Sequence, residues 1–285
     1  MADETSWRDL AVAALAAAAP KEKCAAAARA FEVVSTGSFR LDGEWVAPPD
    51  APARPERPIL LPPQAAPRRR LGSLEGRIAL LHALAHIELN AVDLAFDMAA
   101  RFEGEIAAAG LDRAAFIRDW FAIGAEEARH FAMLDDRLSE LGSAYGELPA
   151  HGALWESAAR TADSVLARLA VAPMVLEARG LDVTPQMARR LRLAGDAKSA
   201  EILDEIYRDE IGHVAAGARW FDRVCNARGI DPATEFARLV SERFSGGLKP
   251  PFNREGRSAA GLPERYYSGW NGPCEESKAP EAQSR

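Results

Sequence analysis

Glu126-Glu127-Ala128-Arg129-His130 and, further along, Asp209-Glu210-Ile211-Gly212-His213 are the two stretches on which the reading of this chain turns. Each places a Glu three positions before a His. On an α-helix that spacing is about 300° of rotation and about 4.5 Å of rise, so both side chains leave one face and can share a metal ion. One such pair is a weak signal, and two among five histidines is a stronger one. Glu127 and His130 fall on a stripe with Trp120, Ile123, Phe131 and Leu134, and Glu210 and His213 on one with Leu203, Ile206, Val214 and Phe221. Both pairs therefore point into a core. A carboxylate held there costs several kcal/mol unless it is paired or bound to metal.

Two further apolar patterns each carry a lone acid. Glu88 sits among Leu81, Leu84, Ala85, Ala91 and Val92, and Glu177 among Leu166, Leu169, Ala170, Pro173 and Met174. In chain order the set is a Glu, a Glu-x-x-His, a Glu and a second Glu-x-x-His, which is the ligand set of dinuclear carboxylate four-helix bundles. Four carboxylates and two divalent ions cancel in charge. Glu88, Glu127 and His130 are expected to hold one metal, and Glu177, Glu210 and His213 the other, with at least one carboxylate bridging. Two irons are expected, with manganese or a mixed pair as the alternative. Glu126, about 100° off the stripe, is expected to face a neighbouring helix or solvent. Glu177 departs from the pattern in lying only three residues before Gly180, an expected helix end.

The remaining sequence agrees with a helical fold. The 285 residues are 48% hydrophobic, 27% charged and only 7% aromatic, a balance that favours helices over strands. Helices are predicted at 6–19 and 21–35, either side of Pro20. Eight prolines between Pro48 and Pro67 impose an extended strap. Ser73 and Asp112 are placed to cap long helices reaching about 109 and 141. A helix over 153–179 stopped by Gly180, a short one opened by Thr184-Pro185, a long one over 196–228 and a last one near 232–244 complete the pattern. The fold class is all-α: a four-helix bundle over 73–228, preceded by an N-terminal helical segment (1–46) and the strap (47–72), and followed by a short helix and C-terminal tail (229–285). The run Arg68, Arg69, Arg70 reads as a solvated linker face, and residues beyond 271 as disordered.

Here the chain resembles the ferritin-like di-iron carboxylate superfamily over about 73–228. Glu126-Glu127-Ala-Arg-His130 resembles the Glu-Glu-x-Arg-His stretch of acyl-carrier-protein desaturases. Asp209-Glu210-Ile-Gly-His213 resembles the Asp-Glu-x-x-His of bacterial multicomponent monooxygenases and ribonucleotide reductase small subunits. That resemblance implies that Asp209 orients a ligand histidine. The strap, His86-Ile87-Glu88-Leu89-Asn90-Ala91 and Pro251-Phe252-Asn253 are similar to marks of a bacterial ferritin-like family of unknown function.

These features imply an enzyme in which O2 is activated and a small organic molecule is oxidised. Iron handling without an organic substrate is the alternative, and a metal-free structural bundle a third, disfavoured by the buried acids. An electron-donor protein and a second copy of the chain stand among the partners to test. The net charge of −7 argues against nucleic acid, a tRNA substrate included, and against a membrane surface. Residues 10–19 are apolar but follow Asp3, Glu4 and Asp9, the wrong sign for a secretory leader, and no uninterrupted apolar stretch reaches bilayer length. With Cys24, Cys225 and Cys274 forming no close pair, a cytoplasmic protein with reduced thiols is expected. His82 and His86 are four apart, but His86 lies about 200° around the helix from Glu88, so both are expected to pack rather than ligate. His151 reads as a loop histidine, and Trp120 and Tyr207 as core aromatics, with a redox role for Tyr207 as the alternative.

Overall fold

Ser73 opens the central helix as its sequence requires. Its hydroxyl accepts a hydrogen bond from the Gly76 N–H at 3.1 Å, and α3 then runs from Leu74 to Ala108. The structure, a computed structural model, describes residues 5–37, 39–42, 46–62 and 71–268. Pro63, Pro67, Arg68, Arg69, Arg70, Cys274 and the segment beyond 271 lie outside the described residues. Ahead of α3 come α1 (Trp7–Ala16) and α2 (Pro20–Ser35), linked by a two-residue parallel pairing of Thr5–Ser6 with Phe39–Arg40. After it come α4 (Arg113–Glu140), α5 (Ala153–Ala159), α6 (Val165–Val171), a π-helical segment (Ala172–Glu177) and α7 (Ala178–Leu193). The long α8 (Ala197–Ala227), then α9 (Pro232–Arg243), α10 (Arg254–Ala259) and a 3₁₀ turn complete the described residues.

The fold is an all-α bundle of two helical hairpins. The short connection capped by Asp112 folds α4 back on α3, and the turn before Asp196 folds α8 back on α7. The hairpins meet where α4 packs on α8. Close approach is secured by two glycines. A Cβ on Gly124 would stand 2.7 Å from the Phe96 ring, and one on Gly217 would stand 2.4 Å from the Pro173 ring. These contacts let α3 approach α4, and α8 approach the π segment.

Buried ion pairs fasten the outer helices to α3. Arg8 of α1 meets Glu103 at 2.6 Å, Lys23 of α2 meets Asp93 at 2.5 Å, and Arg168 of α6 meets Asp97 at 2.5 Å. α3 is also the one described helix long and apolar enough to cross a membrane. Yet 72% of its most apolar window is buried inside the protein, where the helix serves as core.

Three expectations are corrected here. The helix predicted over 153–179 is interrupted by a turn between Ala159 and Val165, where the Ser164 hydroxyl caps α6. Gly180 does not stop it, and Pro185 does not start a new helix, because both lie inside α7. The π segment adds a residue to the turn just before Glu177, and this carries the chain onward into α7. Pro185 still removes an N–H that the Leu181 carbonyl would have used. Asn253 supplies the donor instead: its Nδ2 reaches the Leu181 carbonyl at 3.0 Å and the Tyr207 hydroxyl at 3.1 Å. Asn253 Oδ1 meanwhile caps α10 by accepting from Gly256, and Arg257 pairs with buried Asp182 at 2.7 Å. The tail is thereby bound across α7 and α8.

Candidate metal centre

Glu88 comes from α3, Glu127 and His130 from α4, Glu177 from the end of the π segment, and Glu210 and His213 from α8. All but the half-buried Glu177 are buried, and Glu127 and His130 are 0% exposed. They form two trios, Glu88–Glu127–His130 and Glu127–Glu210–His213, each with ligand-type atoms within 4.8 Å of one another. Glu127 belongs to both. Its Oε1 lies 2.9 Å from His213 Nδ1 and its Oε2 lies 3.4 Å from His130 Nδ1. The sequence reading grouped Glu177 with Glu210 and His213, whereas the structure puts Glu127 there. Glu177 stands beside the second trio, close enough that Glu210 and Glu127 act on its charge.

Both histidines turn Nδ1 inward and Nε2 outward, and the outward nitrogens meet acids from the opposite hairpin. His130 Nε2 is 3.0 Å from Asp209 Oδ2, and His213 Nε2 is 2.7 Å from Glu126 Oε2. Each acid immediately precedes a ligand Glu on its own helix and orients the histidine of the other. Such a contact fixes the tautomer that leaves Nδ1 free to ligate. Arg129 Nη2 in turn holds Asp209 at 2.6 Å. The orienting role expected for Asp209 therefore falls on His130. Glu126 does face a neighbouring helix, but with a role the sequence reading missed. A signal for it was present, since Glu126 stands to Glu127 as Asp209 stands to Glu210.

The electrostatics are those of a charge cluster in want of a counter-ion. Burial, reinforced by the Glu127 charge, pushes Glu88 and Glu210 up, and burial with Glu210 nearby pushes Glu177 well up. Glu127 goes the other way, because His213 and His130 outweigh the effect of its burial and hold it low. Burial opposes a charge on either histidine. The Glu127 and Glu88 carboxylates nevertheless lift His130 to about 11, and Glu127 lifts His213 well above its ordinary value.

The donor set fits metal ions. Five of the buried side-chain atoms that make no well-directed hydrogen bond are Glu127 Oε1 and Oε2, Glu177 Oε2, Glu210 Oε2 and His213 Nδ1, although Glu127 Oε1 and His213 Nδ1 lie close to each other. Buried polar atoms are almost always partnered, and a partnerless group costs about 1–3 kcal/mol. These five come from the six expected ligands. Carboxylate and imidazole donors in this proportion suit iron or manganese better than the thiolate-loving metals.

A cavity of about 260 Å³ reaches the cluster and is lined at its inner end by Glu88, Glu177 and Glu210. The rest of its wall is mainly aliphatic, with Leu84 and Ile87 from α3, Leu176 and Val183 from the π segment and α7, and Leu203 and Ile206 from α8. The other singled-out residues lie elsewhere. His82 Nε2 accepts from the Gly146 N–H at 2.9 Å, and His86 contacts the Tyr145 hydroxyl and the His151 carbonyl. Burial keeps both imidazoles neutral, with pKa values of about 4. Trp120 is buried, and Tyr207 is half-buried with its hydroxyl on Asn253.

Residues 16–268 match the family model described as Protein of unknown function (DUF455). A Haemophilus influenzae protein described as "Uncharacterized protein" is 37% identical over 253 residues, covering 87% of this chain and 88% of the relative. No solved structure matches the chain.

Proposed function

The chain belongs to the family described as Protein of unknown function (DUF455), and from that premise we propose that it is a ferritin-like dinuclear carboxylate protein that uses O2 to oxidise a small organic molecule. Glu88, Glu127 and His130 would hold one metal ion, and Glu127, Glu210 and His213 the other, with Glu127 between them and Glu177 completing the second. Two irons fit this set, as do manganese or a mixed pair. The metal pair would supply binding and reduction of O2, with electrons delivered by a donor protein.

This chain's own residues shape the site around that chemistry. Asp209 and Glu126 keep the two imidazoles aimed. The aliphatic walls exclude water from the carboxylates. The observation that carries the oxidase reading is the apolar cavity ending on Glu88, Glu177 and Glu210. Ferrous ions entering as substrate would call for a polar path, whereas an aliphatic chamber suits an organic one.

The experiment is O2 uptake by the iron-loaded chain supplied with a chemical reductant and a panel of organic compounds. The reading expects uptake that depends on one compound and yields its oxidised product in step. Rapid uptake driven by Fe(II) alone, unaffected by every compound, would overturn it in favour of iron handling. The expectation of a cytoplasmic protein, and of a second copy or a donor protein as partner, belongs to the same proposal.

A further inference from the structure

We infer that the cavity beside the metal cluster takes an uncharged aliphatic group of roughly ten non-hydrogen atoms, and that Gly180 is the residue that leaves room for it. This rests on the oxidase reading and names the class of its substrate. The size follows by scaling from an apolar cavity of about 150 Å³ that takes benzene, six non-hydrogen atoms, to the 260 Å³ here.

Gly180 carries the argument. It lies inside α7, where glycine weakens a helix. At Gly124 and Gly217 packing explains the choice, because an added Cβ would strike a ring. At Gly180 an added Cβ would meet nothing within 4 Å, and its φ is not in the left-handed region. Gly104 and Gly212 are equally unobstructed, but they face solvent. Gly180 is instead half-buried on the cavity wall, so the space beside it is cavity. A larger side chain would fit the fold and fill the chamber.

The charge of the guest follows from Arg179, the one basic residue on the wall among the described residues. Its guanidinium donates to the Lys249 carbonyl at 2.7 Å and the Pro251 carbonyl at 3.2 Å, and faces Asp182 at 3.5 Å. It is held by the tail carbonyls, and the three acids Glu88, Glu177 and Glu210 line the same chamber, so the wall as a whole does not favour a carboxylate or phosphate head. Away from Glu88, Glu177, Glu210 and Arg179, Thr184 is the one polar side chain among the described residues of the wall, which leaves a sugar or a polar amide largely unmatched.

Calorimetric titration of the metal-loaded full chain with 1-octanol and with sodium octanoate tests this. One 1-octanol should bind per chain, with octanoate at least about tenfold weaker, a difference of ~1.4 kcal/mol. Gly180→Leu should weaken 1-octanol at least about tenfold while metal content and melting temperature match or exceed wild type. Should that variant fail to fold, Val183→Phe on the same wall carries the test. Octanoate binding as tightly as 1-octanol, or 1-octanol binding unchanged in the folded variant, overturns the inference. Bound metal without 1-octanol binding would sink the inference and leave the oxidase reading standing. Binding of 1-octanol by a chain that cannot be loaded with metal would overturn the oxidase reading and keep the cavity assignment.

Discussion

Asn253→Ala removes the side chain that ties the tail to α7, which follows directly on Glu177, and to α8, which carries Glu210. Three interactions go: the bond to the Leu181 carbonyl, the bond to the Tyr207 hydroxyl and the cap on α10. Loss of a helix cap costs about 1 kcal/mol. The Leu181 carbonyl is the larger matter, because Leu181 is fully buried and Pro185 offers no N–H one turn on. A buried acceptor left unmet costs about 1–3 kcal/mol, so the variant should lose roughly 2–4 kcal/mol in all. At ~2–4 °C per kcal/mol for a chain of this size, the melting temperature should fall by roughly 5–15 °C. The assay is thermal unfolding followed by circular dichroism on four proteins: wild type, Asn253→Ala, Pro185→Ala and the double variant. Pro185→Ala returns a backbone donor to Leu181. It should therefore stabilise the Asn253→Ala background by at least ~1 kcal/mol more than it stabilises wild type. Equal effects in both backgrounds would refute the idea that Asn253 stands in for the missing N–H.

Glu126→Ala should lower metal affinity about 10–100-fold in competitive chelator titrations without abolishing binding, since Glu126 orients His213 from outside the ligand set. His82 stays neutral in the fold down to about pH 4 but protonates near 6.5 once unfolded, so its contribution is full above 6.5 and is lost as pH falls toward 4. His86 carries the same shift, so between pH 7 and 4.5 in urea unfolding His82→Gln should recover of the order of 2 kcal/mol of the loss and leave the His86 share. Without metal, the raised Glu88, Glu177 and Glu210 stabilise less as pH climbs above about 4.3, and the raised His130 and His213 less above about 6.5. Metal needs deprotonated ligands, so the gap in melting temperature between loaded and metal-free protein should widen from pH 5 to 8. A constant gap would count against a metal role for these residues.

The helices that carry the candidate ligands were legible because each rests on a local rule. Ser73 and Asp112 cap where their side chains dictate, and Glu88, Glu127 and Glu210 stand on stripes of helical period. What could not be read is where the period changes. The stripe from Leu166 through Met174 assumes 3.6 residues per turn, and the π segment widens the turn just before Glu177. Glu177 stands at the end of that segment, beside the trio of Glu127, Glu210 and His213, and the helix runs on through Gly180 and Pro185. The pairing of Glu126 with His213 joins residues 87 apart in sequence, and the Asn253 bond to Leu181 joins residues 72 apart. No local pattern encodes such partners. The cavity is a gap between helices, and the sequence reading took Gly180 on its wall for a helix stop.

The most direct test of a dinuclear centre built around Glu127 is metal stoichiometry by elemental analysis after anaerobic loading with iron or manganese and desalting. Wild type should carry about two ions per chain and Glu127→Ala close to none, because that one residue belongs to both trios. Less than about half an ion per chain in wild type, or a Glu127→Ala variant that keeps both ions, would contradict the account.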